Sequence, residues 1–330
     1  MSSLFVDAEA YCPHNGVADD APGITAAMTA AFPNKVVTLP GSAVPYMIGS
    51  SLNVSARSLC GVVTGNALLP TGYCTVLRAM PSCIGPMLKT VSNGTSVCNM
   101  VLDAAGTASH GMHVMQGNGR TLELRNVTAL SALVAGFWFD RCQAAIVERL
   151  LARLNPVGFQ IDAGNHMVLL MCSASGNTSH GFVVAKSTSQ PSAGSYAHLV
   201  ECLTELNGGD GIHIEGTAAV NGSYIQGAQV RSCHVEANGG HGIYARYVTH
   251  MKLTDNRIVP PANPDANERG IYLDSCKNCD VGGNMVAYPG TQPNWYKIKN
   301  LADPAGTNEF RRNLQLSDIA NAVTLPVETT

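Results

Sequence analysis

GIHIE, residues Gly211 to Glu215, decides the fold, because the same phrase recurs along the chain. It returns as GMHVM from Gly111, GFWFD from Gly136, GFQID from Gly158, GFVVA from Gly181, GIYAR from Gly242 and GIYLD from Gly270, with glycines 22 to 31 residues apart. Regular recurrence with variable loops is the signature of a repeat architecture in which one period forms one structural turn. The alternation within each phrase, apolar at the first and third positions after glycine, is that of a half-buried strand.

A second strand-like run follows each phrase: TLELRNV from Thr121, AIVERLL from Ala145, MVLLMCS from Met167, HLVECLT from His198, QVRSCHV from Gln229, MKLTDNR from Met251 and CDVGGNM from Cys279. Stacked, these runs set Asn126, Leu150, Cys172, Cys202, Cys233, Asn256 and Asn284 in one file. Amide side chains bond up and down such a file, and a buried thiol fills the same volume as a small apolar group. Asn177, Asn207 and Asn238 form a shorter file before three of the glycines. The fold class is therefore all-β, a single-stranded right-handed parallel β-helix with a short N-terminal capping helix.

That helix is expected over Ala21 to Phe32, with Asp20 as N-cap, Pro22 in its first turn and Ile24 and Met28 on one face, covering the open end of the coil. Asp19 and Asp20 are read as turn and cap residues rather than a catalytic pair. The division expected is an N-terminal segment over 1–50, the β-helix body over 51–290 and a cap or subunit-contact segment over 291–330, whose NEFRRNLQLSDIANAVTL forms a last imperfect turn. The rung glycines are expected to let the chain turn sharply into each strand.

Composition narrows the function. Charged residues are 13% of the chain and the net charge is −3, with no basic stripe, so nucleic acid is not an expected partner. No apolar run spans a membrane, and the opening MSSLFVDAEAY lacks a signal-peptide pattern. The 11 cysteines follow the turns rather than a disulfide framework, and the lone CxxC at Cys276 and Cys279 reads as two half-buried thiols rather than a metal or redox site.

The combination of NGVADDAPGITAAMTAA (15–31), VVTLPGSAVPYMIG (36–49) and the repeated turns resembles the pectate-lyase-like superfamily, in particular its bacteriophage tailspike and capsule depolymerase branch. The resemblance covers the first 50 residues well and the turns generically, with extra residues between Gly41 and Tyr46. It implies the fold, a polysaccharide substrate, a side-by-side homotrimer and a place on a virion tail or outside the cell after release. It names no catalytic residue, and a bacterial relative fits it too.

Catalytic candidates come from the outward positions of the repeated strands: His113 with Met115, Trp138 with Asp140, Gln160 with Asp162, Val183 with Ala185, His213 with Glu215, Tyr244 with Arg246, and Tyr272 with Asp274. Aromatic rings beside carboxylates suit the stacking of sugar rings and the protonation of glycosidic oxygens. Turns roughly 4.8 Å apart put Asp140 about 5 Å from Asp162, and Asp162 roughly 10 Å from Glu215 across small Val183 and Ala185. Asp162 and Glu215 are thus the expected acid and base of a glycoside hydrolase, with Asp140 next. Trp138, Gln160, His213, Tyr244, Arg246, Tyr272 and Asp274 are expected to bind substrate, and Glu205 with Glu236 are the reserve pair.

No cofactor or metal is expected for hydrolysis. A lyase acting on uronic acids is the enzymatic alternative, using Arg246, Lys186, Tyr244 or His213, with Ca²⁺ held by Asp140 and Asp162. A non-catalytic glycan-binding spike is the other. His110, His180 and His241, in file with Asp210 and Arg269 just before rung glycines, are read as completing turns, with a polar groove edge as the alternative.

Overall fold

The computed structural model describes residues 4–62, 74–91, 94–115, 122–143, 145–162, 166–185, 196–217, 224–261, 268–287, 298–301, 307–316, 323–324 and 327–329. Among the described residues it is nearly all β, a solenoid of parallel strands with one α-helix near the N-terminus, as the repeats require. The chain divides into two compact units, Met1–Pro156 and Val157–Thr330.

In the C-terminal unit one turn consists of Phe182–Ala185, Ala197–Val200 and Leu203–Glu205. The next repeats it as Ile212–Glu215, Gln229–Arg231 and His234–Glu236, each strand parallel to its counterpart. Register is kept residue for residue, so Phe182, Ile212, Ile243, Ile271 and Ile298 stand in one inward file. All five are fully buried. Burial of each such side chain contributes about 1.5–3 kcal/mol. Strands within the final stretch, Ile298–Leu301, Glu309–Arg311 and Leu314–Leu316, continue the same pairing.

The bends between sides are made by single left-handed residues. Met171, Glu201, Ser232, Asp255, Gly283 and Arg312 have φ between 52° and 68°, and only one of them is glycine. Left-handed backbone costs an L-residue about 1 kcal/mol or more. Each bend from Met171 to Gly283 nevertheless gives its N–H to the carbonyl of the following turn, at 2.9–3.1 Å. The next residue is then buried in the expected file. Cys172, Cys202 and Cys233 give way to Asn256, Asn284 and Asn313, where Asn256 Nδ2 donates to Asn284 Oδ1 at 2.8 Å and Asn284 Nδ2 to Asn313 Oδ1 at 2.9 Å. Cys276 and Cys279 are both buried thiols.

Asn126 does not belong to that file. In the N-terminal unit Thr128 pairs with Leu151, which sets Val127 beside Leu150 and Asn126 beside Arg149. Asn126 is itself a left-handed bend residue, φ 54°, and its amide donates to the bend residue Asn99 at 3.0 Å. The sequence alignment was one residue out because asparagine suits both the bend and the position after it.

The shorter file holds as expected. Asn177 Nδ2 donates to Asn207 Oδ1, and Asn207 Nδ2 to Asn238 Oδ1, both at 2.8 Å. These amides also explain the glycines, none of which needs positive φ. A Cβ on Gly211 would lie 2.8 Å from both Asn238 Nδ2 and the Gly242 oxygen, and one on Gly158 would lie 2.5 Å from the Gly181 oxygen. Space, not turning freedom, selects glycine there.

The helix runs from Ala21 to Ala31, with Ile24 and Met28 buried. Asp20 occupies the N-cap position, but its side chain makes no cap bond. Fully buried, it accepts the N–H groups of His14 and Met47 at 2.8 Å. Asp19 does the capping, accepting Ala21 N–H at 2.9 Å and Gly49 N–H at 2.8 Å. Both acids are therefore committed to holding the entry segment.

Asn207→Ala should destabilise the protein by about 3 kcal/mol in urea unfolding, because it strands partners in three turns. Gly211→Ala should cost about 1–3 kcal/mol through the clash with the amide file. Unchanged midpoints would refute the ladder as a source of stability.

Candidate functional site

The outward positions form two parallel files in the C-terminal unit. One is Gln160, Val183, His213, Tyr244, Tyr272 and Lys299; the other is Asp162, Ala185, Glu215, Arg246, Asp274 and Leu301. Asp162 and Glu215 therefore stand two turns apart with Ala185 between them. An open groove of ≈ 570 Å³ lies at this interruption, lined by Gln160, His180, Val183, Ala185, Glu215 and Arg246 among others. It exists because small side chains fill the middle turn while longer ones rise on both sides.

His213 stands between two carboxylates at the groove. Its Nδ1 lies 2.7 Å from Asp210 Oδ2 and its Nε2 3.2 Å from Glu215 Oε2. Glu215 Oε1 lies 3.7 Å from the Arg246 guanidinium. Arg246 Nε is 3.0 Å from Asp274 Oδ2, an ion pair whose angle is too poor for a hydrogen bond. Gln160 Nε2 donates to Asp162 Oδ1 at 2.5 Å.

The aromatic rings are arranged differently from the expectation that they offer their faces to sugar. His213 stacks on Tyr244 at 4.7 Å, and Tyr244 on Tyr272 at 5.4 Å. The Lys299 ammonium sits over Tyr272 at 5.6 Å. In-register turns stack like side chains on each other, which leaves mainly ring edges outward. In the N-terminal unit Trp138 stacks on His113 at 3.9 Å and on His110 at 5.0 Å. His113 keeps the outward register of Trp138 but is buried by that stacking, and Val183 is buried within its own outward file.

Asp140 belongs to the N-terminal unit, where both its oxygens accept from Arg141 at 3.0 Å. Glu205 and Glu236 are in register on another side of the coil. Ser175 Oγ donates to Glu205 at 3.1 Å, and His234 Nε2 meets Glu236 at 2.7 Å. Neither acid lines the groove. Lys186 lies outside the described residues.

The residues before the rung glycines do complete turns, through a chain of bonds from turn to turn. His180 Nδ1 accepts Asp210 N–H at 2.9 Å, Asp210 Oδ1 accepts His241 N–H at 2.7 Å, and His241 Nδ1 accepts Arg269 N–H at 2.9 Å. Asp210 also reaches His213, a role not read from the sequence. The available signal was an acid in a file otherwise holding histidine and arginine, three residues before His213.

His180, Asp210 and His213 bring ligand atoms within 4.8 Å of one another, the metal-sized cluster among the described residues. Ligation through the two Nδ1 atoms would break the bonds just described, so the trio fits a shared proton better than a cation. Burial alone would lower the His213 pKa, but bonds to Asp210 and Glu215 outweigh it and raise it above 6.5. Burial would raise Asp210, yet the His213 bond and the neighbouring histidines hold it below its usual value. Burial pushes Tyr244 up to about 12.

No protein-family model matches the sequence, and no curated protein sequence does either. Among solved structures, the A-module of Azotobacter vinelandii mannuronan C-5 epimerase AlgE4 is similar with a TM-score of 0.70 at 15% identity, over 99% of both chains. The Dettilon tailspike protein gives 0.68 at 11% identity, over 98% of this chain and 68% of that one. Full-length tailspike protein 2 of Escherichia coli O157:H7 bacteriophage CAB120 gives 0.65 at 11% identity, over all of this chain and 41% of that one. At such identities the likeness is one of fold. That fold is a parallel β-helix, as the repeats implied.

The histidines set a pH dependence of stability. Burial lowers the pKa values of His180, His241, His113 and His198, and that of His110 to about 4. Groups depressed in the fold bind protons more readily when unfolded, so stability falls as pH drops below 6.5. His213, raised in the fold, acts oppositely: its contribution is present below 6.5 and is lost as pH rises through its folded value. Five depressed groups against one raised group predict a urea midpoint that declines from pH 6.5 toward 4. A midpoint that rises over this range would contradict the assignment.

Proposed function

We propose that the protein is a polysaccharide depolymerase that cleaves glycosidic bonds by hydrolysis, with Asp162 as acid and Glu215 as base. The observation that carries this reading is the file Asp162, Ala185, Glu215: Ala185 and Glu215 line an open groove, and Asp162, one turn before Ala185, is bonded to the lining Gln160. Two turns of roughly 4.8 Å bring the carboxyl groups near the 6.5–9.5 Å separation of inverting glycosidases once the side chains lean inward. Glu215 lies between His213 and Arg246, surroundings that suit a carboxylate accepting a proton from water. Asp162 accepts an N–H from the Gln160 amide, which orients its carboxyl group as the acid for the leaving oxygen.

Support from other structures is of two kinds. The mannuronan epimerase module acts, by its name, on a polysaccharide, and the neighbours include an enzymatically active tailspike domain. The same neighbours favour a virion-tail location and, by resemblance, a side-by-side homotrimer. The reading needs no cofactor.

β-Elimination from a uronic acid is the second reading, favoured by Arg246 beside His213 as a cation for the substrate carboxylate. It is the weaker one. His213 has both ring nitrogens directed at carboxylates, and Tyr244, with its pKa near 12, is a phenol rather than a base at neutral pH.

A glycan array followed by product mass spectrometry identifies the polymer. On it, Asp162→Asn and Glu215→Gln should each lower kcat by roughly 10²–10⁴. New reducing ends of inverted configuration, without the ultraviolet absorbance of an unsaturated uronide, are the expected products. Full activity in either variant removes the acid and base assignment, unsaturated products select the lyase, and binding without release selects a glycan-gripping spike.

A further inference from the structure

His213 stands between two carboxylates, and its two contacts constrain its protons. Nδ1 is 2.7 Å from Asp210 Oδ2 and Nε2 is 3.2 Å from Glu215 Oε2. A carboxylate accepts and does not donate, so each contact is a hydrogen bond only when that ring nitrogen carries a proton. Neutral imidazole has one N–H. A ring lacking the Nε2 proton would turn a lone pair on Glu215, and one lacking the Nδ1 proton would turn a lone pair on Asp210. Only the imidazolium satisfies both.

The groups around the ring come from three turns. Asp210 and Glu215 belong to its own. From the turn before, His180 approaches to 4.6 Å between ring centres. From the turn after come Tyr244, His241 and Arg246. His180 and His241 each accept a backbone N–H at Nδ1, which fixes them as neutral acceptors in this arrangement. Arg246 opposes a second cation, but it sits on Oε1 of Glu215, away from the Oε2 that His213 meets. Tyr244 lays its ring on the His213 face, where an aromatic surface favours positive charge. The balance therefore favours the protonated ring.

We propose that Asp210 and His213 are positioning residues for Glu215: Asp210 holds the imidazolium, and the imidazolium fixes Glu215 Oε2 so that the carboxylate faces the groove as a base. This rests on the reading of Glu215 given above. In the step itself water loses a proton to Glu215 and its oxygen bonds the anomeric carbon. The glycosidic C–O bond breaks, and Asp162 gives its proton to the leaving oxygen. His213 keeps both protons throughout. When alkali removes one, the bridge to Glu215 is broken and turnover falls.

The test is a ¹⁵N titration of the histidine side chains in the full chain, with His213 assigned from a His213→Gln variant, alongside a pH–rate profile. Two ring N–H groups at pH 6.5 and a His213 midpoint above that ordinary value are expected. Asp210→Asn retains an oxygen to accept His241 N–H, and it should move the midpoint to lower pH. Glu215→Gln should move it in the same direction from the groove side, which keeps the test decisive if the buried variant fails to fold. The wild-type alkaline limb of kcat should coincide with the His213 midpoint. A neutral His213 at pH 6.5, or a midpoint unmoved by these variants, overturns the proposal. Activity surviving Glu215→Gln overturns the assignment of the base as well, whereas an inactive Glu215→Gln with a neutral His213 overturns the positioning role alone.

Discussion

Parallel hydrogen bonding between successive turns, with no slip in register, is the constraint on which the rest depends. It stacks each residue on its equivalent one turn away, so a choice made at one position is repeated along a file. Asparagine and cysteine files at the bends follow from this, because a buried amide finds its partners directly above and below. The glycines follow too, since the amide and the carbonyl of neighbouring turns occupy the space of a Cβ. The cost of left-handed bends in L-residues is accepted where each bend N–H has a carbonyl in the following turn.

The same constraint shapes the site. Rings in register stack on each other, so the aromatic file is largely consumed in building a rigid wall. A groove opens where the file is broken by small residues, and Glu215 and Arg246 of later turns line it. Polar residues at the turn before each strand are first spent on the backbone of the neighbouring turn. Asp210 has an oxygen left over after that task, and it is this second oxygen that reaches His213.

Much of the fold was legible. The period-two pattern after each glycine named the inward Ile212 and Ile214 and the outward His213 and Glu215, and the files followed from stacking the phrases. Errors arose where one residue type suits two roles. Asn126 was set one position off because asparagine tolerates left-handed backbone as readily as it forms ladders. Asp20 was read as a cap from its place before the helix, whereas its neighbour Asp19 reaches the helix N–H and Asp20 is drawn inward.

The sequence by itself determined the repeat, the identity of the inward and outward files and the place of Asp162 and Glu215 in one of them, because alternation and period are local properties of the chain. Tertiary structure alone decided which ring faces are covered, which acid caps the helix, and that Asp210 bonds His213. Those outcomes depend on which atoms of adjacent turns come within about 3 Å, and no spacing along the chain encodes a side chain's direction or the oxygen it has left to share.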